Sequence, residues 1–464
     1  MNSGAFGREV VITGIGIVTP IGVGRDSFWQ AALCGTGAVA KIPDHWRNYF
    51  KPACCLWAPL PGIDFALHDI SRIEQLQLDK AEMISLTCAR EAMSDARYTL
   101  VVNNRKKNTY SVQGIEPHRF GVFVGSGIGG LSSVCASQAF HCGELPVKKL
   151  DEMQSRLAAT DSTSDLALVI EDLKRHLRLP VRFNPMTVAM SMPNGCSAMP
   201  GIKYGLAGPN MTCAAACAAG TMAIGQGFRS IVQGECDAAL VGGAEYLGDD
   251  FGGGFRGFDI AGALVRNCND PEKANRPFDR DRSGFLLAEG GGALFVIEEK
   301  KHALDRGANI YATITGFGQS FDAYSMMAME PDGRAAERMV RSALDDAGIG
   351  PADVDYINAH GTGTVLNDEI ESALIERLFG EKPLVNSTKS LTGHTIGASG
   401  AIGAAVTALS LFHQTTHVSK NIENPIRNLT FVKSAGTYEI RHALTQSFAF
   451  GGHNACLVLS RYEG

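Results

Sequence analysis

An unbroken apolar run, Val10-Val11-Ile12-Thr13-Gly14-Ile15-Gly16-Ile17-Val18-Thr19-Pro20, predicts a buried strand ending in a Gly/Pro turn. Short apolar runs recur at 120–124, 238–241, 293–297 and 354–357. Between them the spacing turns helical. Residues 27–34 read as a helix with Asp26 as its N-cap, and 81–96 as a longer one with Met83, Leu86, Ala89 and Met93 on one face. Residues 36–75 look irregular, and 103–108 read as a solvated polar loop. Residues 141–185 change texture: they are charged, carry Leu166, Leu168, Leu173 and Leu177, and predict an inserted helical excursion. Strands alternating with helices imply an α/β architecture.

The pattern also repeats. Ile12-Thr13-Gly14-Ile15-Gly16 returns as Ile314-Thr315-Gly316-Phe317-Gly318, a shift of 302. Each copy is followed by a long helix (81–96 or 335–347) and then by a strand entering a glycine turn, at Gly125 or His360-Gly361. Next comes a reactive residue before a small-residue helix: Cys217 in the first copy, His394 in the second. Four features in one order predict two duplicated halves with their turns at a shared centre.

Composition narrows the function. The 464 residues carry a net charge of −6, so no basic excess exists to displace counterions from nucleic acid. The 12 cysteines include no C-x-x-C pair, and the first residues lack a signal-peptide pattern, so free thiols in a cytoplasmic protein are expected. The apolar stretch 396–412 falls short of the roughly 18 residues of a membrane helix and reads as a buried one, so no membrane insertion is expected. The 53 glycines lack a fixed period and mark sites of tight turning or close approach.

Two glycine motifs invite a dinucleotide reading, and neither completes it. Gly14-Ile15-Gly16 lacks the third glycine at Thr19 and runs into Pro20; Gly125-Ser126-Gly127-Ile128-Gly129-Gly130 is not followed, about 20 positions on, by an acidic residue at the end of a second strand. Cys217 is a stronger candidate. It sits in a strand-to-helix elbow, where the helix N-terminus favours a thiolate and the flanking Ala and Gly admit a carbonyl to backbone N–H groups. A small buried hydrophobe is the competing reading, and Cys213 the local rival. His360 and His394 each follow a strand at a glycine turn, with Lys389 nearby, a setting suited to developing negative charge. Without a third ligand at helical spacing, no metal is expected.

Together these segments resemble the β-ketoacyl-acyl-carrier-protein synthases, elongating condensing enzymes of the thiolase superfamily. The resemblance spans Val10 to about Arg461. It rests on the Cys217 elbow, Ala359-His360-Gly361-Thr362-Gly363-Thr364, Thr388-Lys389-Ser390-Leu391-Thr392-Gly393-His394, Ser447-Phe448-Ala449-Phe450-Gly451-Gly452-His453-Asn454 and Arg276-Pro277-Phe278-Asp279-Arg280-Asp281-Arg282-Ser283-Gly284-Phe285.

The resemblance implies a thiolase-like fold: two duplicated α/β halves in a layered αβαβα sandwich. Residues 8–299, with the 141–185 insertion, would carry the cysteine, and 308–464 the two histidines. It implies decarboxylative condensation of malonyl carrier protein with an acyl chain on Cys217, in fatty-acid or specialised polyketide or polyene synthesis. His360 and His394 would hold the enolate, and the N–H groups of Cys217 and Phe450 an oxyanion. Phe450 would gate the pocket. Lys389 would order the histidine turn with Glu371 as partner, supported by Thr362, Thr364 and Phe448. No cofactor is implied. Acyl carrier protein is the implied partner, with a homodimer or a heterodimer with a chain-length factor. A non-catalytic partner subunit is the reading of another class, and Cys217 counts against it. Ala449 departs from the family's usual glycine, Ala219 from serine, and Val365 and Asn367 from proline and glycine.

Overall fold

Strand β1 (Val10–Thr19) is buried along its whole length, as its apolar run requires. The computed structural model describes residues 7–158, 164–176, 183–266 and 269–464. Beside β1 in the first sheet lie β2 (Phe120–Gly125), β3 (Asn210–Cys213), β4 (Ala238–Tyr246) and β5 (Gly290–Glu299), in the order β3-β2-β4-β5-β1. The second contains β6 (Ala312–Phe321), β7 (Tyr356–Asn358), β8 (Leu384–Asn386), β9 (His442–Phe448) and β10 (His453–Ser460), in the order β6-β10-β9-β7-β8. The pairing senses match strand for strand. β1 and β6 each run antiparallel to their neighbour, and the outer strands of both sheets are parallel. Val10–Ile12 pairs with Ala312–Ile314 and stitches the sheets together.

Helices α1 (Lys80–Asp95), α2 (Leu131–Ala158), α3 (Ser164–His176), α4 (Ala219–Val232), α5 (Arg334–Ala347), α6 (Val365–Phe379) and α7 (Ser399–His413) complete the frame. α1 covers the outside of the first sheet at β1, β4 and β5, and α5 the outside of the second at β6 and β10. Between the sheets lie α4, on β2 and β4, and α7, on β7 and β9, packed against each other. The layers are therefore αβαβα, with two duplicated halves. Ile396–His413 is long and apolar enough to cross a membrane, but 89% of it is buried inside the protein.

The glycines of the repeated pentapeptide serve close approach rather than tight turning. Gly14 and Gly16 lie inside β1, where a Cβ would come within 2.2 Å of Ala92 O and 2.0 Å of Cys88 O on α1. Gly316 and Gly318 meet α5 in the same way, at Ala343 O (2.2 Å) and Met339 O (2.1 Å). A register shift falls at Ile12/Gly14 in one half and Ile314/Gly316 in the other. Each is followed by an amide bound to a helix-end aspartate: Ile15 N to Asp95 (2.9 Å) and Phe317 N to Asp346 (3.0 Å).

Local expectations needed adjusting. The helix of residues 27–34 is Arg25–Leu33 with Gly24 at its N-cap; Asp26 sits in the first turn and accepts from Arg25. The polar loop is the tip of a hairpin, Leu100–Asn104 with Thr109–Val112. The excursion is helical, but α2 starts at Leu131, ten residues before the change in texture. Leu166, Leu168 and Leu173 are exposed on α3, which turns Ile170 inward, and Leu177 lies outside the described residues.

Candidate active site

The chain reaches Cys217 from β3 through a 3-10 turn, Ala216–Ala218, that feeds α4. Ala216 has a φ of 43°, a left-handed conformation that turns the chain sharply into the helix. The second half repeats this geometry at Ile396 (φ 47°), the turn Ile396–Ala398, and α7. The structural counterpart of Cys217 is thus Gly397. His394, expected in that place, belongs to the loop just before it.

That offset brings the two halves' reactive groups face to face. His394 Nε2 lies 3.1 Å from Cys217 Sγ, and the His360 and His394 rings are 5.5 Å apart at near right angles. Phe285 packs edge-on against His394 at 5.1 Å, and Phe448 against His360 at 5.9 Å. Cys217, His360, His394 and Lys389 are all buried. The cysteine and the two histidines meet at a cavity of ≈320 Å³ whose lining also includes Thr362, Thr364 and Phe450.

Lys389 and Glu371 grip one turn from opposite ends. The Lys389 ammonium donates to the His360 carbonyl, while Glu371 accepts from the His360 and Gly361 amides, both at 2.7 Å. The two charges therefore act through the His360 peptide rather than as a direct ion pair. Gln446 and Asn367 also donate to Glu371. Thr362 and Thr364 share a hydroxyl hydrogen bond at 2.9 Å. The Phe450 turn is closed by Ala449 N to His453 O (2.9 Å) and fastened by Gly451 N to Met326 O (2.7 Å).

Burial dominates the electrostatics. It pushes the Cys217 thiol up to about 12, against the opposing pull of Lys389 and the N–H groups of Phe450 and Cys217. The expected resting thiolate is therefore corrected to a thiol. Burial holds both histidines well below the usual histidine range, with Lys389 pressing the same way. Cys213, the rival, sits half-buried at the end of β3 with its thiol pushed up to about 11. The nearest side-chain atoms of Cys217, His360 and His394 lie within 4.8 Å of one another, a potential three-ligand set that sequence spacing did not reveal. The buried Lys389 cation works against a dication there.

Residues the motif reading passed over brace the turn. Asp368, fully buried, accepts from the amides of Thr362, Gly363 and Phe278. Asn275 Nδ2 donates to the Lys389 carbonyl, and Arg282 approaches Asp368 at 3.8 Å. The available signal was Asp368 standing three positions before Glu371 on one face of α6. Asn367, noted only as a departure, donates to both Asp368 and Glu371.

A duplicated αβαβα core with a buried cysteine facing two histidines across the halves defines a thiolase-superfamily condensing enzyme. The chain belongs to the β-ketoacyl synthase family. Residues 7–303 match the model "Beta-ketoacyl synthase, N-terminal domain" and 311–423 match "Beta-ketoacyl synthase, C-terminal domain". It is similar to a 3-oxoacyl-[acyl-carrier-protein] synthase 2 of Synechocystis, 34% identical over 98% of this chain and 99% of that one. The protein of the same description from Coxiella burnetii is 35% identical over 98% and 99%. Among solved structures, a β-ketoacyl synthase from Burkholderia phymatum superposes with TM-score 0.80 at 29% identity, covering 98% of this chain and all of that one. The ishigamide ketosynthase/chain length factor gives 0.78 at 28%, with the same coverage.

Proposed function

We propose that the protein is an elongating β-ketoacyl-[acyl-carrier-protein] synthase with Cys217 as its acyl acceptor. The observation that carries this reading is the 3.1 Å approach of His394 Nε2 to the Cys217 thiol, with His360 beside it in the same cavity. Cys217 sulfur attacks the acyl thioester, and the thiol proton leaves with the carrier thiol. The N–H groups of Cys217 and Phe450 receive the oxyanion. Malonyl carrier protein then loses carbon dioxide, and the bonding pair passes into a thioester enolate. Neutral His360 and His394 donate hydrogen bonds to its oxygen. The enolate carbon attacks the acyl-Cys217 carbonyl, the sulfur leaves and recovers a proton, and a chain two carbons longer departs on the carrier.

Lys389 and Glu371 set the His360 turn, Thr362 and Thr364 line the malonyl entrance, and Phe448 backs the His360 ring. Phe450 gates the acyl pocket. The cysteine half takes in residues 8–299 and the histidine half 308–464. The cytoplasm is the compartment in keeping with eleven described cysteines that form no disulfide with one another. The family resemblance supports acyl carrier protein as partner. A second chain is either another copy or a chain-length factor, the latter favoured by the ishigamide likeness.

Incubation with a panel of acyl carrier proteins, followed by peptide mass spectrometry, should find the acyl group on Cys217. An adduct on Cys213, or none while malonyl decarboxylation proceeds, would overturn the assignment. Product length with and without a candidate chain-length factor separates the two partner readings.

A further inference from the structure

Glu245, near the end of β4, is fully buried. Among the described residues no lysine, arginine or histidine is bonded to it. Its carboxylate is instead held by N–H and O–H groups from both halves of the molecule. From the first half come Ser126 Oγ (3.3 Å), Gly127 N and Ile128 N (3.3 Å). From the second comes Gly397 N, at 3.1 Å. A buried ionisable group with this partner set costs folding free energy unless its geometry is closely kept. Burial accordingly pushes Glu245 up to about 7 against those four donors.

The Gly397 contact reaches the chemistry by a short route. His394 is fixed at its backbone by His394 N to Leu286 O (2.7 Å) and Ala288 N to His394 O (3.1 Å). Only Thr395 and Ile396 separate it from Gly397. Ile396, β-branched and buried, holds a φ of 47°, which persists only where the surroundings over-determine it. One constraint is the bonded strand at His394, and the other is Glu245 on the next amide. Gly397 is also wedged against the nucleophile's side: a Cβ at Gly220 on α4 would stand 3.0 Å from Gly397 O. The clamp therefore spans the pseudo-twofold junction, with Cys217 on one bank and His394 on the other.

We propose that Glu245 is a positioning residue for the condensation, holding His394 in register with Cys217 by clamping the Gly127–Ile128 turn to the Gly397 amide. The inference rests on the ketosynthase reading above. It adds a role for a buried carboxylate that touches no substrate.

The test compares Glu245→Gln with wild type, with His394→Ala and with the double variant. Gln keeps the shape but turns an NH₂ group toward N–H donors. Melting temperature reports the fold; condensation and malonyl decarboxylation report the chemistry. Glu245→Gln should lower kcat roughly 10- to 100-fold, the scale of an ångström misplacement, with KM for malonyl carrier protein within about twofold. In the His394→Ala background the same change should cost less than about twofold, because both act through one histidine. Equal losses in the two backgrounds, or wild-type kcat in Glu245→Gln, overturn the proposal. If Glu245→Gln does not fold, Ser126→Ala removes one of the four contacts. It should lower kcat a few-fold in the native background and not with His394→Ala, and an unchanged kcat overturns the proposal. A wild-type protein that condenses no substrate, either alone or with a candidate chain-length factor, overturns the ketosynthase reading instead.

Discussion

At the scale of the residue, identity was legible and charge state was not. The elbow sequence and glycine turns singled out Cys217, His360 and His394, and the fold brings all three to one cavity. The expected thiolate failed on magnitude. A helix N-terminus is worth about 0.3–1 kcal/mol, whereas lifting a thiol from 9.0 to about 12 corresponds to roughly 4 kcal/mol favouring the neutral form. The enclosing apolar groups come from both halves, so no local window of sequence contains them. The same burial makes a pH prediction for the histidines. An ordinary histidine gains its proton near 6.5, but both rings are held well below that value. They remain neutral as pH falls from 8 to 6, and each keeps one N–H for the enolate. The two rings should therefore add no step of their own to malonyl decarboxylation over that interval. A titration between pH 5 and 8 in which either ring gains its proton near 6.5 would show that burial does not control these rings.

Elements were easier to find than the reason for their glycines. Apolar runs located β1, β2, β4 and β5, and helical spacing located α1 within a residue at each end. For the glycines of β1 and β6 the sequence left tight turning and close approach undivided, because the chain alone gives no sign of a helix lying across a strand. Their role is close approach, and it can be tested by adding one carbon. Gly16→Ala places a Cβ 2.0 Å from Cys88 O, and Gly318→Ala one 2.1 Å from Met339 O; both obstacles are helix backbone, which cannot step aside. Overpacking typically costs about 1–3 kcal/mol where side chains can shift, so each change should cost at least ~3 kcal/mol. The two halves should respond alike. Gly257→Ala is the control, since it lies within the helix Gly253–Ile260 and a Cβ there meets nothing within 4 Å. Helix propensity makes that change neutral or stabilising by up to ~1 kcal/mol. Denaturant melts of the three variants read out the contrast, and a mild Gly16→Ala would mean α1 can lift from β1.

For the molecule as a whole, the first sheet ends in an unfinished edge. β3 pairs with β2 on one side only, and its sequence, Asn210-Met211-Thr212-Cys213, contains neither charge nor proline to discourage pairing. Met211 is 40% exposed there, and Ile202, on the packed helix Gly195–Tyr204, is 62% exposed, so apolar surface accompanies the open hydrogen-bonding groups. A second chain pairing along this edge would satisfy both at once. A copy of the same chain would do so about a twofold axis, and a chain-length factor of similar fold could occupy the same place. β3 also leads within four residues to Cys217, so such a partner would brace the elbow from outside. Met211→Lys puts a charge in the middle of that edge without altering the cavity. It should shift the protein toward monomer in sedimentation velocity and lower the yield of any co-expressed heterodimer. Condensation should fall with the loss of assembly and return at protein concentrations high enough to restore it. Unchanged association in Met211→Lys would place the subunit contact elsewhere and leave the edge to be protected by another element.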